Sequence, residues 1–410
     1  MAVNTVLSIA GAGSTALLLA GLGSPVLAQD QIGGPQLTFG ISFRAETNSN
    51  AGLDPISLGS TNKASIGLSF GLLSETNISR LAIDASARVL TATGAGSPAT
   101  GLVDPTLSLS YARESANADF SFDAGLMDTD LSSDLAVTDF GAGPGTRRTT
   151  SLNTALNWGK TAPLGFGISA GVTDITYRDA GVDQVDNRTV RAGATLRADL
   201  SAVLRLDLGL RASQFEKATA ASRDTLGLDA GLTLIRPRGD LTLRASMDDT
   251  ADGTRQSLSF GQTIALPDAV LSYNLGATRG VDAQTHLTGA VNYQRELPNG
   301  AISLGLSRAV SSGSETDAEN LLTSASVGYQ TALSPLANLS LSLDWAENID
   351  TATDFGTTNT SLSATYSHDL AQDWALDIGY THRLRDKDGV GSGASDSLFL
   401  QLRRDFSTQF

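Results

Sequence analysis

The 410-residue sequence has no cysteine, three histidines, three tryptophans and only 6% aromatic residues. Without thiols it has no disulfide framework, no thiol nucleophile and no cysteine-ligated metal. It also lacks a positive surplus. Its 28 Lys and Arg stand against 43 Asp and Glu, a net charge of -15, which removes the electrostatic basis for binding nucleic acid. Beyond the N-terminus no run approaches the roughly 20 apolar residues that a membrane-crossing helix needs. No phosphate loop, zinc spacing, EF-hand or dinucleotide fingerprint occurs.

What the sequence does have is alternation. Leu37, Phe39, Ile41 and Phe43 share one parity, as do Ala64, Ile66, Leu68, Phe70 and Leu72, and then Leu81, Ile83, Ala85, Ala87 and Val89. A period of two places side chains on opposite faces of a strand. The pattern recurs in about 20 segments of membrane-spanning length, roughly 9–11 residues each, where soluble sheets average about 5–6. Short connections such as Ser74 to Asn77, Leu266 to Asp268 and Ser334 to Ala337 take turns with longer ones at 45–62, 91–104, 128–147, 311–318, 346–357 and 385–395. Such one-sided alternation implies hairpins whose long loops share one end, an even strand count and both termini at the other end.

The expected fold is therefore all-β: a single transmembrane antiparallel up-and-down β-barrel of about 20 strands over residues 36–410, with 18 or 16 strands as the nearest alternatives. A β-solenoid would require stacked identical residues at a fixed coil length, and no stacked motif accompanies the spacing. Residues 4–23 form a Gly/Ala/Leu-rich apolar stretch before Ser24-Pro25-Val26-Leu27-Ala28. This reads as a signal peptide over residues 1–28, cleaved after Ala28, although no Lys or Arg precedes the apolar stretch. Residues 29–35 would then be a short periplasmic segment.

The chain ends on a strand, Leu398 to Phe410, with Leu398, Leu400, Leu402, Phe406 and Phe410 on one face. A final strand that stops on a C-terminal Phe resembles the end of bacterial outer-membrane β-barrel proteins. The resemblance implies that Phe406 and Phe410 form an insertion signal; Arg404 and Thr408, on the apolar parity, depart from the pattern. The stretches Leu68 to Thr76, Asp104 to Tyr111 and Ala162 to Phe166 resemble uncharacterised outer-membrane barrels of alphaproteobacteria. That likeness implies an integral protein of a Gram-negative outer membrane, with both termini periplasmic. Its partners would be lipid, lipopolysaccharide and the barrel-insertion machinery, and it would be open to homo-oligomerisation.

If the apolar parity faces lipid, the opposite parity places Arg191, Arg197, Arg205, Arg211 and Arg244 in the lumen on nearby strands. Asp84, Asp119, Asp123, Asp344 and Asp377 fall inward on other sectors. A basic sector opposite acidic ones resembles the transverse field of general diffusion porins, which orients polar solutes and penalises apolar ones; the alternative is a hydrated lumen with locally paired charges. The longest connection, 128–147, is the third of the long set, the one that narrows the pore in general porins. Here Asp139, Phe140 and the glycines after them form its tip, with Arg147 and Arg148 at its return. Acids in the long loops (Asp128, Asp130 and Asp134; Asp179, Asp183 and Asp186; Asp248, Asp249 and Asp252) read as solvated carboxylates or as bridges to lipopolysaccharide through divalent cations. Of His286, His368 and His382, only His382 is a candidate for catalysis, and no partner pattern accompanies it. The expectation is a porin-like channel for passive diffusion of small polar solutes, with no enzyme activity, cofactor or metal. The alternatives are a component of exopolysaccharide export or envelope assembly, and a closed structural barrel.

Overall fold

Alternating apolar residues on a pleated backbone give one greasy and one polar face to every segment, and the segments pair edge to edge. The computed structural model describes residues 34–410 apart from 95–99, 132–134, 141–144, 180, 182–183, 313–318 and 372. The expected signal peptide and residues 29–33 lie outside the described residues, as do Asp134, Asp183 and part of the third long loop.

Twenty strands form. The first ten are β1 (Gln36–Asn48), β2 (Thr61–Glu75), β3 (Ser79–Gly94), β4 (Gly101–Glu114), β5 (Ala118–Asp130), β6 (Thr146–Trp158), β7 (Leu164–Arg178), β8 (Asn187–Asp199), β9 (Leu204–Lys217) and β10 (Ala220–Leu234). There follow β11 (Leu241–Thr250), β12 (Gly253–Ala265), β13 (Ala269–Arg279), β14 (Thr285–Leu297), β15 (Gly300–Ser312), β16 (Glu319–Ser334), β17 (Ala337–Asp350), β18 (Gly356–Ala371), β19 (Trp374–Lys387) and β20 (Gly391–Gln409). Each pairs antiparallel with its neighbours in sequence, and β1 pairs with β20 from Gln36↔Gln409 to Asn48↔Ser397. The sheet is closed, so each strand pairs with a neighbour on both sides. Among the described residues there is no helix.

The strands run from 10 to 19 residues, longer than the 9–11 expected. The excess lies at the long-loop end, where both faces become polar, as in Thr357 to Asn359 and Ser392 to Ser395. Hydrogen bonding continues there after the apolar pattern has stopped. The contrast in connections narrows accordingly: the loops at 49–60 and 131–145 are long, whereas 218–219 and 251–252, at the same end, are tight two-residue turns. The other end carries short turns throughout, together with the start of β1 and the end of β20.

One parity of each strand is outward. Phe70, Phe166, Leu228, Leu258, Leu304 and Leu400 are each more than 40% exposed, and they belong to a belt of such residues around the wall. Soluble monomers rarely expose a contiguous apolar patch beyond a few hundred Å², so this belt calls for an apolar solvent. The opposite parity carries the ion pairs, serine pairs and glycines of the interior.

Candidate functional site

The third long loop, 131–145, leaves the wall between β5 and β6 and reaches side chains far round the barrel. Asn359 on β18 donates through Nδ2 to the Val137 carbonyl at 2.9 Å, and Arg385 on β19 donates to the Phe140 carbonyl at 3.0 Å. Both side chains have the inward parity of their strands, so the described part of the loop lies on the inner side of the wall and docks against β18 and β19. Its tip is braced at the near wall by Arg147, which donates to Asp139 through both terminal nitrogens, at 3.2 Å from Nη1 to Oδ1. Arg385 is half-buried and feels the carboxylates of Asp139 and of Asp54 in the first loop. One cation thus stands between the carboxylates of two loops at the long-loop end. Gly145 permits the return: its φ is +99°, and a Cβ there would lie 2.4 Å from the Arg178 carbonyl oxygen. Leu131 closes the loop base by donating to the Gly145 carbonyl at 2.9 Å, and its own side chain is 1% exposed. Of the residues expected at a constricting loop, Asp139 and Arg147 pair with each other and Phe140 meets Arg385; the contacts with Asn359 and Arg385 were not anticipated.

The sequence-derived basic sector is not basic alone. Arg205 donates to Asp199 at 2.8 Å, and Arg197 lies 3.7 Å from the same carboxylate. Arg197 also gathers the carbonyls of Gly159, Lys160 and Ala162, at 2.7, 3.2 and 2.8 Å, and so clasps the β6–β7 turn. Asp207 feels Arg205, Arg244 and Arg197. Deeper in the barrel Arg211 reaches Asp248 at 2.6 Å and Asp229 at 3.2 Å. Glycine makes these reaches possible. Gly227 on β10 stands in register with both Arg211 on β9 and Asp248 on β11, and a Cβ there would come within 2.5 Å of both side chains. Gly231 stands in register between Asp207 and Arg244, where a Cβ would meet only ordinary contacts, 3.7 Å from Arg244 Cγ. Asp199, Asp207, Asp229 and Asp248 already had the inward parity in the sequence, and that parity was the signal that would have found them. Arg191 takes its inward place on β8.

The acidic residues are scattered rather than gathered. Asp119 accepts from Asn157 at 2.8 Å and lies 3.5 Å from Lys160, a turn lysine whose ammonium is held above its usual pKa by the hydrogen bond from Nζ to Glu114. Asp344 accepts from Ser342 at 3.0 Å, and Asp377 sits 3.7 Å from Arg403. Asp84 and Asp123 take their inward places on β3 and β5.

From β12 to β18 the interior changes character. At mid-strand, Asp344 aside, hydroxyls and amides replace charges, and facing serines bond one another: Ser307 with Ser324 at 2.7 Å and Ser342 with Ser363 at 2.8 Å. Ser303, Ser326, Ser340, Asn274 and Asn292 are exposed to the lumen.

On the outer wall, His382 Nδ1 is 2.8 Å from Asp396, which also accepts from Tyr380 at 2.6 Å. No Ser or Thr hydroxyl bonds His382 among the described residues. Nor, among them, do three or more His, Cys, Asp or Glu gather as a metal site. At the closing seam the Phe406 and Phe39 rings lie 6.3 Å apart, and the Phe410 amide donates to Pro35 at 3.1 Å. The terminal aromatics join the last strand to the first.

No known family profile matches the sequence, and no curated protein matches it either. Solved structures do. The siderophore receptor PirA of Pseudomonas aeruginosa aligns over 90% of this chain and 80% of its own, with a TM-score of 0.52 and 10% identity. A mutant of the ferric enterobactin receptor PfeA from the same organism, in complex with enterobactin, aligns over 92% and 82%, with a TM-score of 0.53 and 10% identity. PirA of Acinetobacter baumannii gives 92% and 81%, a TM-score of 0.51 and 8% identity. The chain has the fold of the bacterial outer-membrane β-barrels.

Proposed function

We propose that this protein is an outer-membrane channel through which small polar solutes diffuse passively. The observation that carries the reading is the third loop, held on the inner side of the wall by Asn359 and Arg385. A strap of this kind leaves the wall intact and reduces the cross-section, as a size filter requires. The interior supports the same reading: a charged arc orients ions and dipoles, while a hydroxyl-lined arc exchanges hydrogen bonds with water and neutral solutes at little cost. In this orientation the apolar belt lies in the bilayer, the long loops face the exterior, and the short turns and both termini face the periplasm. No catalytic role is assigned to the His382 cluster.

Liposome swelling tests the proposal. Vesicles carrying the purified barrel are expected to admit monosaccharides and amino acids rapidly and larger oligosaccharides slowly, with Arg385→Ala raising the size limit. Vesicles that admit none of these solutes, with the native or the Arg385→Ala chain, would favour a closed structural barrel. Admission of long polysaccharide alone would favour an exporter.

A further inference from the structure

Arg404 stands on the lipid-facing parity of β20, between Leu402 and Phe406, where an arginine is out of place. Its register partners are Trp374 and Ile41. Because Trp374 is the first residue of β19, Arg404 lies level with the point where that wall gives way to the β18–β19 turn. That depth is close to the short-turn margin of the apolar belt, with the exposed pair of Phe39 and Phe406 one outward position beyond it. The guanidinium carbon lies 4.4 Å from the Phe406 ring centroid and 5.3 Å from that of Trp374. Aromatic faces on two sides fix the plane of the fork.

Among the described residues no side chain or carbonyl bonds that fork. Arg404 Nε is buried without a hydrogen-bond partner, and among the described residues no carboxylate forms an ion pair with Arg404. A guanidinium carries five N–H donors and no acceptor, so its terminal nitrogens are left to take oxygen acceptors from outside the chain, anionic ones most strongly. At the edge of an apolar belt, the groups that supply them are headgroup phosphates, which match the arginine fork two oxygens at a time. Arg295, another outward arginine at this end, shows the contrast: it is paired with Asp268 at 3.0 Å and needs no external anion.

We propose that Arg404, held by Trp374 and Phe406, binds the phosphate of a glycerophospholipid in the leaflet on the short-turn side. The bound lipid would lie against the β19–β20–β1 seam and tie the closing strand to the membrane. The inference rests on the reading of the barrel as membrane-embedded.

The test is native mass spectrometry of the detergent-purified barrel exchanged into micelles containing phosphatidylglycerol. The native chain is expected to retain one more phosphatidylglycerol than Arg404→Gln or Trp374→Leu. Arg113→Gln, which removes an outward arginine at the same end of β4, should retain the native number. If Arg404→Gln fails to assemble, Arg404→Lys keeps the charge without the stacked plane and should show reduced retention. Equal retention by the native chain, Arg404→Lys and Trp374→Leu overturns the site. Release of the lipid by an equal concentration of inorganic phosphate also overturns it, because the site would then select a free anion. A native chain that neither binds lipid nor floats with vesicles would end the membrane reading itself. Flotation with equal retention ends only the site.

Discussion

Two arcs of the same wall, β8–β11 and β12–β18, share one outward face and differ inside. Outside, both present leucine after leucine: Leu208, Leu210, Leu226 and Leu228 in the first, Leu258, Leu275, Leu304, Leu306 and Leu343 in the second. Inside, the first arc interleaves Arg205, Arg211 and Arg244 with Asp207, Asp229 and Asp248 across glycine gaps. The second carries Ser, Thr and Asn, interrupted at mid-strand by Asp344 alone among the described residues. A barrel strand therefore meets two independent demands, one per parity. The lipid-facing demand is uniform around the circle, and the lumen-facing one is free to vary by sector.

Both arcs depend on one closure, so the largest effect should come from breaking it. Deleting Phe410 should remove most of the assembled barrel from the membrane fraction, as read by heat-modifiable migration on gels. Assembly at the native level would show that the seam does not need its last residue. The next effect separates rim from middle. Arg255 and Glu319 form a pair at 2.7 Å with side chains 15% and 4% exposed. Arg255→Ala leaves the buried carboxylate without its cation, with the Val281 amide still donating to it at 2.9 Å, and should cost about 3–5 kcal/mol in urea unfolding from bilayers. The pair of Arg211 with Asp229, each more than 40% exposed, should by contrast contribute about 1 kcal/mol or less.

The uniform outer face has its own test. Leu208→Arg and Leu304→Arg, at the same position along β9 and β15, should each cost about 2–4 kcal/mol if they lie near the bilayer centre. Unequal costs would mean that the two arcs do not share one solvent. The smallest effect concerns the inner faces. Arg205→Glu with Arg211→Glu should move the reversal potential toward cations, while Ser307→Ala with Ser324→Ala should leave it unmoved. An unchanged potential in the arginine variant would remove the charged arc from any role in selectivity.

Period-two alternation made the strands, their order and the closing partner of Leu398 to Phe410 legible in the sequence, because a bilayer constrains every second residue. Strand ends were not legible. Where Thr357 to Asn359 and Ser392 to Ser395 leave the apolar belt, both faces are polar and the period vanishes, although the backbone pairing goes on. The inward arginines could be read by parity, but their pairing could not. Arg211 meets Asp248 only because register places Gly227 between them, and register belongs to the pairing of strands rather than to either strand. The loop contacts were least accessible, since nothing near Asn359 or Arg385 in the chain refers to Val137 or Phe140.

Passive diffusion through this barrel requires an open lumen narrowed by a docked loop. Single-channel recording of the purified barrel in a planar bilayer tests it most directly. Steady, ohmic conductance is expected, with a larger step for Arg385→Ala. A barrel that inserts yet carries no current, natively and with loop 131–145 shortened, would contradict it.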